Sequence, residues 1–150
     1  MGNIFNEDFI DFLKALNQQQ VEYILVGGYS VILYGYSRTT GDMDILVNKT
    51  KENYQRLQKA FHDFKMPVFE MTEDNFLHNP HLDVFTFGRQ PVAIDIMTSI
   101  KGATFDELYL KAIQIDVDDM LVKTIHVNDL ILVKKASGRY KDLDDLENIS

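Results

Sequence analysis

Two aspartates and a glycine pair have the residue types and spacing that hold a metal-bound phosphate. Asp42 and Asp44 are two residues apart in an apolar segment, so a β-strand would place both carboxylates on one face, about 7 Å apart. Gly27 and Gly28 end an earlier apolar run and permit a close approach of the backbone to a ligand. Neighbouring carboxylates repel each other unless a hard cation lies between them, so we predict a Mg²⁺ site beside a phosphate site.

A third aspartate is predicted to complete the metal site. Asp95 lies in the middle of the apolar segment 91–98, where an unpaired charge would cost several kcal/mol. Phosphoryl transfer with two metal ions about 3.5–4 Å apart requires a ligand that bridges or completes the pair. We therefore predict that Asp42, Asp44 and Asp95 are both the metal ligands and the catalytic residues.

The elements that must position these residues follow from hydrophobic periodicity and turn signals. Helices are predicted at 7–17, 29–34, 51–64, 105–112 and from Asn128, which would cap the last helical region. Strands are predicted at 21–26, 43–47, 68–71, 82–87, 91–98, 113–117 and 122–127. This order predicts an α+β fold in a single domain of residues 1–150: a mixed sheet with helices mainly on one face and a helical end from about residue 128.

Further residues are predicted to bind the nucleotide. The helix after Gly28 would begin with free amide groups, which favour phosphate, and Ser30 would donate to that phosphate or cap the helix. Arg38 would clamp a phosphate or remain in a surface loop. Lys134 is favoured over the lysine next to it to reach the triphosphate from the last helix. Arg139 and Asp142 are interpreted either as a structural pair or as part of the site.

The glycine pair and the three aspartates together resemble the signature of the DNA polymerase β-type nucleotidyltransferase superfamily. That signature has a hydrophobic residue before Gly-Gly or Gly-Ser, a spacer, an Asp-hydrophobic-Asp/Glu-hydrophobic segment and a third carboxylate on a later strand. The matching residues are Val26, Gly27, Gly28, Asp42, Met43, Asp44, Ile45 and Asp95.

Two longer segments resemble a small prokaryotic branch of that superfamily. Residues 26–47 read VGGYSVILYGYSRTTGDMDILV, and residues 129–146 read DLILVKKASGRYKDLDDL, similar to a helix with a lysine, a Gly-Arg-x-Lys-Asp turn and a second helix. Relatives include toxin and antitoxin proteins that transfer nucleotides to a protein or to RNA. The resemblance implies a minimal nucleotidyltransferase fold and a Mg²⁺-dependent enzyme. Such an enzyme moves a nucleoside monophosphate from a nucleoside triphosphate such as ATP to a hydroxyl acceptor and releases pyrophosphate.

The resemblance leaves the acceptor and the preferred base open. The acceptor is a small molecule such as an aminoglycoside-like drug, a protein tyrosine or an RNA end, and a partner protein of toxin–antitoxin type would supply a missing acceptor site. The alternative function is a nucleotide- or toxin-binding antitoxin or regulatory protein with little or no turnover. A degenerate fold that acts only as an interaction surface is a third hypothesis.

Composition limits the classes of partner and site. The net charge of −8 disfavours non-specific binding of DNA or RNA, because phosphate neutralisation supplies most of that affinity. The absence of cysteine excludes disulfides and thiolate metal sites. Neither a signal peptide nor a membrane span is predicted, so we expect a cytoplasmic protein.

Overall fold

The computed structural model describes residues 7–36, 41–89 and 92–149, and within these residues the chain forms helices and strands in alternating groups. The helices are α1 Glu7–Gln18, α2 Gly27–Leu33, α3 Lys51–Asp63, α4 Glu73–His78, α5 Phe105–Lys111, α6 Val127–Ser137 and α7 Tyr140–Ile149. The strands are β1 Tyr23–Val26, β2 Asp42–Val47, β3 Val84–Arg89, β4 Val92–Met97, β5 Ile113–Val117 and β6 Met120–Thr124.

Side-chain caps set the starts of several helices. Thr50, Thr72 and Thr104 each accept a hydrogen bond from a backbone N–H of the first turn of α3, α4 and α5. The prediction that Asn128 caps the last helical region is wrong. The cap of α6 is His126, whose Nδ1 accepts a hydrogen bond from the backbone N–H of Asn128 at 3.1 Å. Asn128 is therefore already inside the helix, and its N–H is one of the free donors that a cap satisfies.

The segment 68–71 was predicted as a strand, and this prediction is also wrong. The segment forms a turn in which the N–H of Met71 donates to the carbonyl oxygen of Val68 at 2.7 Å. The carbonyl oxygen of Met71 accepts a hydrogen bond from the hydroxyl of Tyr54 at 2.7 Å, which satisfies the backbone without a neighbouring strand. α4 follows immediately, capped by Thr72, and was not predicted.

The six strands form one mixed sheet whose topology sets the geometry of the site. The strand order is β3-β4-β2-β1-β6-β5. β2 is parallel to β4 and antiparallel to β1. The start of β2, the start of β4 and the end of β1 therefore lie side by side at the same end of the strands. The remaining pairs are β3 with β4 and β5 with β6, both antiparallel, and β1 with β6, which is parallel.

Two hydrophobic clusters pack against the two faces of this sheet. The larger cluster joins one face to α1 and α3 and includes Phe12, Leu16, Ile45, Leu57 and Phe61. The smaller cluster joins the opposite face to α5 and α6 and includes Ile24, Val26, Leu46, Leu108 and Leu130. The predicted α+β fold with a mixed sheet is confirmed, but the described helices cover both faces of the sheet rather than mainly one. None of the helices formed by the described residues has the length and apolar character needed to cross a membrane.

Candidate functional site

β2 and β4 place the three predicted aspartates next to one another. Asp44 is the register partner of Asp95 in the parallel pair, and Asp42 lies two residues earlier on β2. Neighbouring strands are about 4.8 Å apart, so the two partner carboxylates are near enough to interact. Met43 and Ile45 are buried in the larger cluster. The alternating aspartates therefore face the other side of the sheet, where they are only partly buried.

Burial and nearby negative charge alter the protonation of Asp44. Burial raises the pKa of Asp44 to about 7, with further increases from the charge of Asp95, a hydrogen bond with Asp95 and the charge of Asp42. The guanidinium of Arg139 acts in the opposite direction and lowers it. Near neutral pH the Asp44 carboxyl is therefore divided between its protonated and ionised forms, and a bound cation would displace the proton.

Thr86 orients the third aspartate and was missed in the sequence analysis. The Thr86 hydroxyl donates to Oδ1 of Asp95 at 2.6 Å, and the two residues are register partners in the β3–β4 hairpin. This hydrogen bond leaves Oδ2 as the oxygen of Asp95 that Thr86 does not engage. The available signal was the hairpin itself, because an antiparallel register that pairs Arg89 with Val92 also pairs Thr86 with Asp95.

Gly27 brings the backbone against the metal-ligand candidate Asp44. Its φ of +70° lies in the left-handed region, and a Cβ at this position would overlap the carboxylate of Asp44. α2 begins at Gly27, and the preceding residue, Val26, provides no side-chain cap. The glycine therefore satisfies two requirements at once: a left-handed turn, and a close approach to a carboxylate.

Gly27→Ala should be markedly more destabilising than Gly35→Ala. Both glycines have positive φ, which costs an alanine about 1–2 kcal/mol. Gly35 has open space where a Cβ would be added, whereas the overlap with Asp44 at Gly27 should cost a further 1–3 kcal/mol, approximately as for an overpacked core. Denaturant unfolding of both variants without metal measures the difference. Equal losses of unfolding free energy would contradict the close contact with Asp44.

The other residues predicted to bind nucleotide have different surroundings. Ser30 is fully buried, and its hydroxyl donates to the carbonyl oxygen of Gly27 at 2.6 Å, so its proton is used within the turn. Gly28 is buried in the first turn of α2. Arg38 lies outside the residues that the structure describes.

α6 and α7 bring a buried ion cluster to the site. Lys134 has a side chain only 5% exposed, and its Nζ lies 3.0 Å from Oδ1 of Asp142 and 2.9 Å from Oδ2 of Asp145. The hydroxyl of Ser137 donates to Oδ2 of Asp142 at 2.6 Å. Burial alone would raise the pKa of Asp142, but hydrogen bonds from Arg139, Ser137 and Lys134 hold that pKa well below its usual range.

A cleft of about 400 Å³ lies between this ion cluster and Asp44, the one of the three aspartates that lines it. Gly27 and Asp44 line it on one side, and Lys134, Arg139 and Asp142 line it on the other. Its apolar lining comes from the sheet, the segment after β4 and α6, and consists of Val26, Val84, Met97, Ile100, Leu130 and Val133. Asp83 and Ser99 also line the cleft, and the Ser99 hydroxyl donates to Oδ2 of Asp83 at 3.1 Å. A nucleotide-sized molecule would contact carboxylates, cations and apolar side chains here.

The carboxylate oxygens of Asp42, Asp44 and Asp95 are suitable ligands for Mg²⁺, but their side chains do not yet converge on one position. Carboxylate oxygens are the ligands that Mg²⁺ prefers, and a cation would offset both causes of the raised pKa of Asp44, which are burial first and then the negative charges of Asp95 and Asp42. Across residues 7–36, 41–89 and 92–149, no three acidic, histidine or cysteine side chains already stand in a metal-holding arrangement. Binding would therefore require small rotations that draw the carboxylates of Asp42, Asp44 and Asp95 together.

Comparison with known proteins assigns the chain to a family. Residues 7–150 match the family described as nucleotidyltransferase of unknown function (DUF6036). No functionally curated protein matches the chain in sequence.

Three solved structures have a similar fold. The lincosamide antibiotic adenylyltransferase LnuA, in a lincomycin-bound structure, is 18% identical with a TM-score of 0.63, over 99% of this chain and 98% of that one. The candidate nucleotidyltransferase TM1012 from Thermotoga maritima is 13% identical with a TM-score of 0.64, over 97% and 94%. The antibiotic-resistance factor ANT(2'')-Ia is 14% identical with a TM-score of 0.61, over 95% and 80%. These similarities confirm the predicted nucleotidyltransferase fold.

Proposed function

The chain belongs to the DUF6036 family of nucleotidyltransferases, and we propose that it transfers a nucleoside monophosphate from a nucleoside triphosphate to a hydroxyl group. The observation that supports this most directly is the pairing of Asp44 with Asp95 on parallel strands. Gly27 lies against Asp44 at the edge of a cleft large enough for a nucleotide. A bound cation would stabilise three clustered carboxylates beside incoming phosphates.

Each residue of the site has a separate role in this reaction. Asp42 and Asp44 would hold Mg²⁺, which would supply charge neutralisation for the triphosphate and its α-phosphate. The backbone N–H groups of Gly27 and Gly28 donate hydrogen bonds to phosphate oxygens at the start of α2. Asp95, which would also serve a second metal ion as a ligand, accepts the proton of the acceptor hydroxyl. The acceptor oxygen then forms a bond to the α-phosphorus. The bond from that phosphorus to the oxygen bridging the α- and β-phosphates breaks, and pyrophosphate leaves.

We propose a small molecule as the acceptor. The cleft encloses only about 400 Å³ and combines apolar side chains with the Asp83–Ser99 hydrogen bond. Two of the structurally similar proteins are named for antibiotics: one is a lincosamide adenylyltransferase bound to lincomycin, and the other an antibiotic-resistance factor. The net charge of −8 disfavours a long RNA or DNA acceptor.

A thermal-shift panel of the four nucleoside triphosphates, with and without Mg²⁺, tests this function. A ligand at a hundredfold excess over its Kd adds about 2.7 kcal/mol, which should raise the Tm by roughly 5–11 °C at this chain length. We expect a rise that requires Mg²⁺, followed by pyrophosphate release once a small hydroxyl acceptor is supplied. A rise without pyrophosphate release from any acceptor would favour a nucleotide-binding regulator, and no rise with any nucleotide would contradict both.

Mg²⁺ binding should weaken as the pH falls below about 7. The proton on Asp44 competes with the cation, and the pKa of Asp44 is raised to about 7. Below this value each pH unit should weaken the Mg²⁺ affinity by up to about tenfold, and above pH 8 the affinity should level off. Titration with Mg²⁺ between pH 5.5 and 8.5 measures the slope. A flat affinity between pH 6 and 8 would contradict the role of Asp44 as a ligand.

A further inference from the structure

Arg139 lies at the junction of α6 and α7, where the chain turns toward the cleft. α6 ends at Ser137 and is capped by Gly138, whose φ of +65° is left-handed and whose N–H donates to the carbonyl oxygen of Lys134. Arg139 follows directly, and its carbonyl oxygen accepts the N–H of Leu143 in the first turn of α7. Both Arg139 and Asp44 line the cleft, and each alters the pKa of the other through their charges. The guanidinium is therefore electrostatically coupled to the metal-ligand candidate.

The guanidinium of Arg139 is held on one edge and open on the other. Its Nε lies 2.7 Å from Oδ2 of Asp142, and its Nη2 lies 3.4 Å from Oδ1. Nη1 makes no hydrogen bond to any described residue, and 67% of the Arg139 side chain is exposed. A guanidinium that is hydrogen-bonded along one edge in this way keeps N–H donors on its other side for a second anion.

Asp142, which accepts the hydrogen bonds of Arg139, is itself held in place by other side chains. The Asp142 side chain is 2% exposed and also accepts hydrogen bonds from Lys134 at 3.0 Å and Ser137 at 2.6 Å. Lys134 is further fixed by Asp145 at 2.9 Å. The ammonium of Lys134 is thus occupied by two buried carboxylates, whereas the charge of Arg139 remains accessible.

We infer that, among the α6 and α7 residues that line the cleft, Arg139 binds the triphosphate, and that Lys134 and Asp142 position it. This inference rests on the proposed function, and it replaces direct contact between Lys134 and the nucleotide by an indirect role. The two cations Lys134 and Arg139 and the two carboxylates Asp142 and Asp145 balance in charge. Asp142 consequently orients the guanidinium, and the incoming phosphates supply the anion for its open edge.

Lys101 is another cation that lines the same cleft, but it lacks these features. It is exposed in a turn, and no ion pair links it to a described carboxylate within 4.0 Å. Arg139 alone among the three described lining cations combines exposure with a fixed geometry and coupling to Asp44. The pre-oriented group loses less side-chain freedom when it binds an anion.

Isothermal titration of Arg139→Met with the four nucleoside triphosphates and with inorganic tripolyphosphate, each with Mg²⁺, tests the assignment. The affinity for every probe that wild type binds should fall by roughly 10- to 100-fold, because all of them share the phosphates. Arg139→Lys should recover only part of the loss, since an ammonium lacks the fork of donors. Lys135→Met is the matched control: it removes one exposed positive charge from α6 outside the cleft lining and should change the affinity less than about threefold.

The outcomes separate the inference from the function on which it rests. Wild-type affinity in Arg139→Met, or an equal loss in Lys135→Met, would overturn the role of Arg139 while leaving the nucleotide site intact. Failure of wild type to bind any of the five probes would overturn the proposed function as well. A circular dichroism melt should show Arg139→Met folded, because Asp142 keeps its hydrogen bonds to Lys134 and Ser137.

Discussion

Asp44→Asn should abolish nucleotidyl transfer and Mg²⁺-dependent nucleotide binding while leaving the protein folded. Asp44 pairs in register with Asp95 and lies against the Gly27 turn, so its carboxylate stands between the proposed metal ligands and the proposed phosphate site. A metal ion contributes several kcal/mol to charge stabilisation in such a reaction, so we expect a loss of at least about 1000-fold in rate. Pyrophosphate release measures the rate, and the thermal shift with Mg²⁺ and nucleotide measures binding.

The same variant should be more stable than wild type at high pH without metal. The pKa of Asp44 is about 7 in the folded protein and has a reference value of 3.8, so the folded state binds the proton more tightly. The stability that this proton contributes is fully present below the unfolded pKa and is lost as the pH rises through about 7. The loss amounts to about 1.4 kcal/mol for each pH unit between the unfolded and the folded pKa. Asparagine never ionises and escapes this loss.

Melting without Mg²⁺ at pH 5 and pH 8 tests this sign. The Tm advantage of Asp44→Asn should be clear at pH 8 and smaller at pH 5. Asp11→Asn is the control, because Asp11 is an exposed aspartate on α1, whose apolar face packs into the larger cluster on the other side of the sheet. Full transfer activity in Asp44→Asn, or a lower Tm than wild type at pH 8, would contradict the assignment of Asp44 as a crowded metal ligand.

Lys134→Met should be among the most destabilising single substitutions in this chain. The substitution removes the ammonium that lies within 3.0 Å of Asp142 and 2.9 Å of Asp145, both almost fully buried. Breaking a buried ion pair from one side costs about 3–5 kcal/mol, because the remaining charge loses its partner. At this chain length the Tm should fall by roughly 6–20 °C.

Lys135→Met provides the matched comparison for that prediction. Lys135 is the next residue of α6 and is exposed, so its loss should change the Tm by no more than about 1–2 °C. The double variant Lys134→Met/Asp145→Leu should regain part of the stability, since an apolar pair replaces a charge left alone. Equal Tm values for the two single variants would show that the Lys134 cluster does not stabilise the junction of α6 and α7.

Local sequence patterns predicted most of the elements and the three aspartates. The two-residue spacing of Asp42 and Asp44 indicates a strand, and so do the apolar residues around Asp95. Side chains alternate between the two faces of a strand, whichever strand it pairs with. The failures were short segments. The segment 68–71 has strand-like residues but no strand partner, and α4 is only six residues long, so neither carries enough periodicity to be distinguished.

The pairing of residues distant in sequence required the folded chain. Which strand neighbours β2 determines that Asp95 lies beside Asp44, and the β3–β4 register determines that Thr86 orients Asp95. Likewise, the sequence left Lys134, Arg139 and Asp142 with alternative roles, and packing of α6 against α7 buried Lys134 and left Arg139 exposed to the cleft. Residue type and spacing are encoded locally, whereas burial, charge coupling and pKa depend on distances between segments that only the packed sheet and helices bring together.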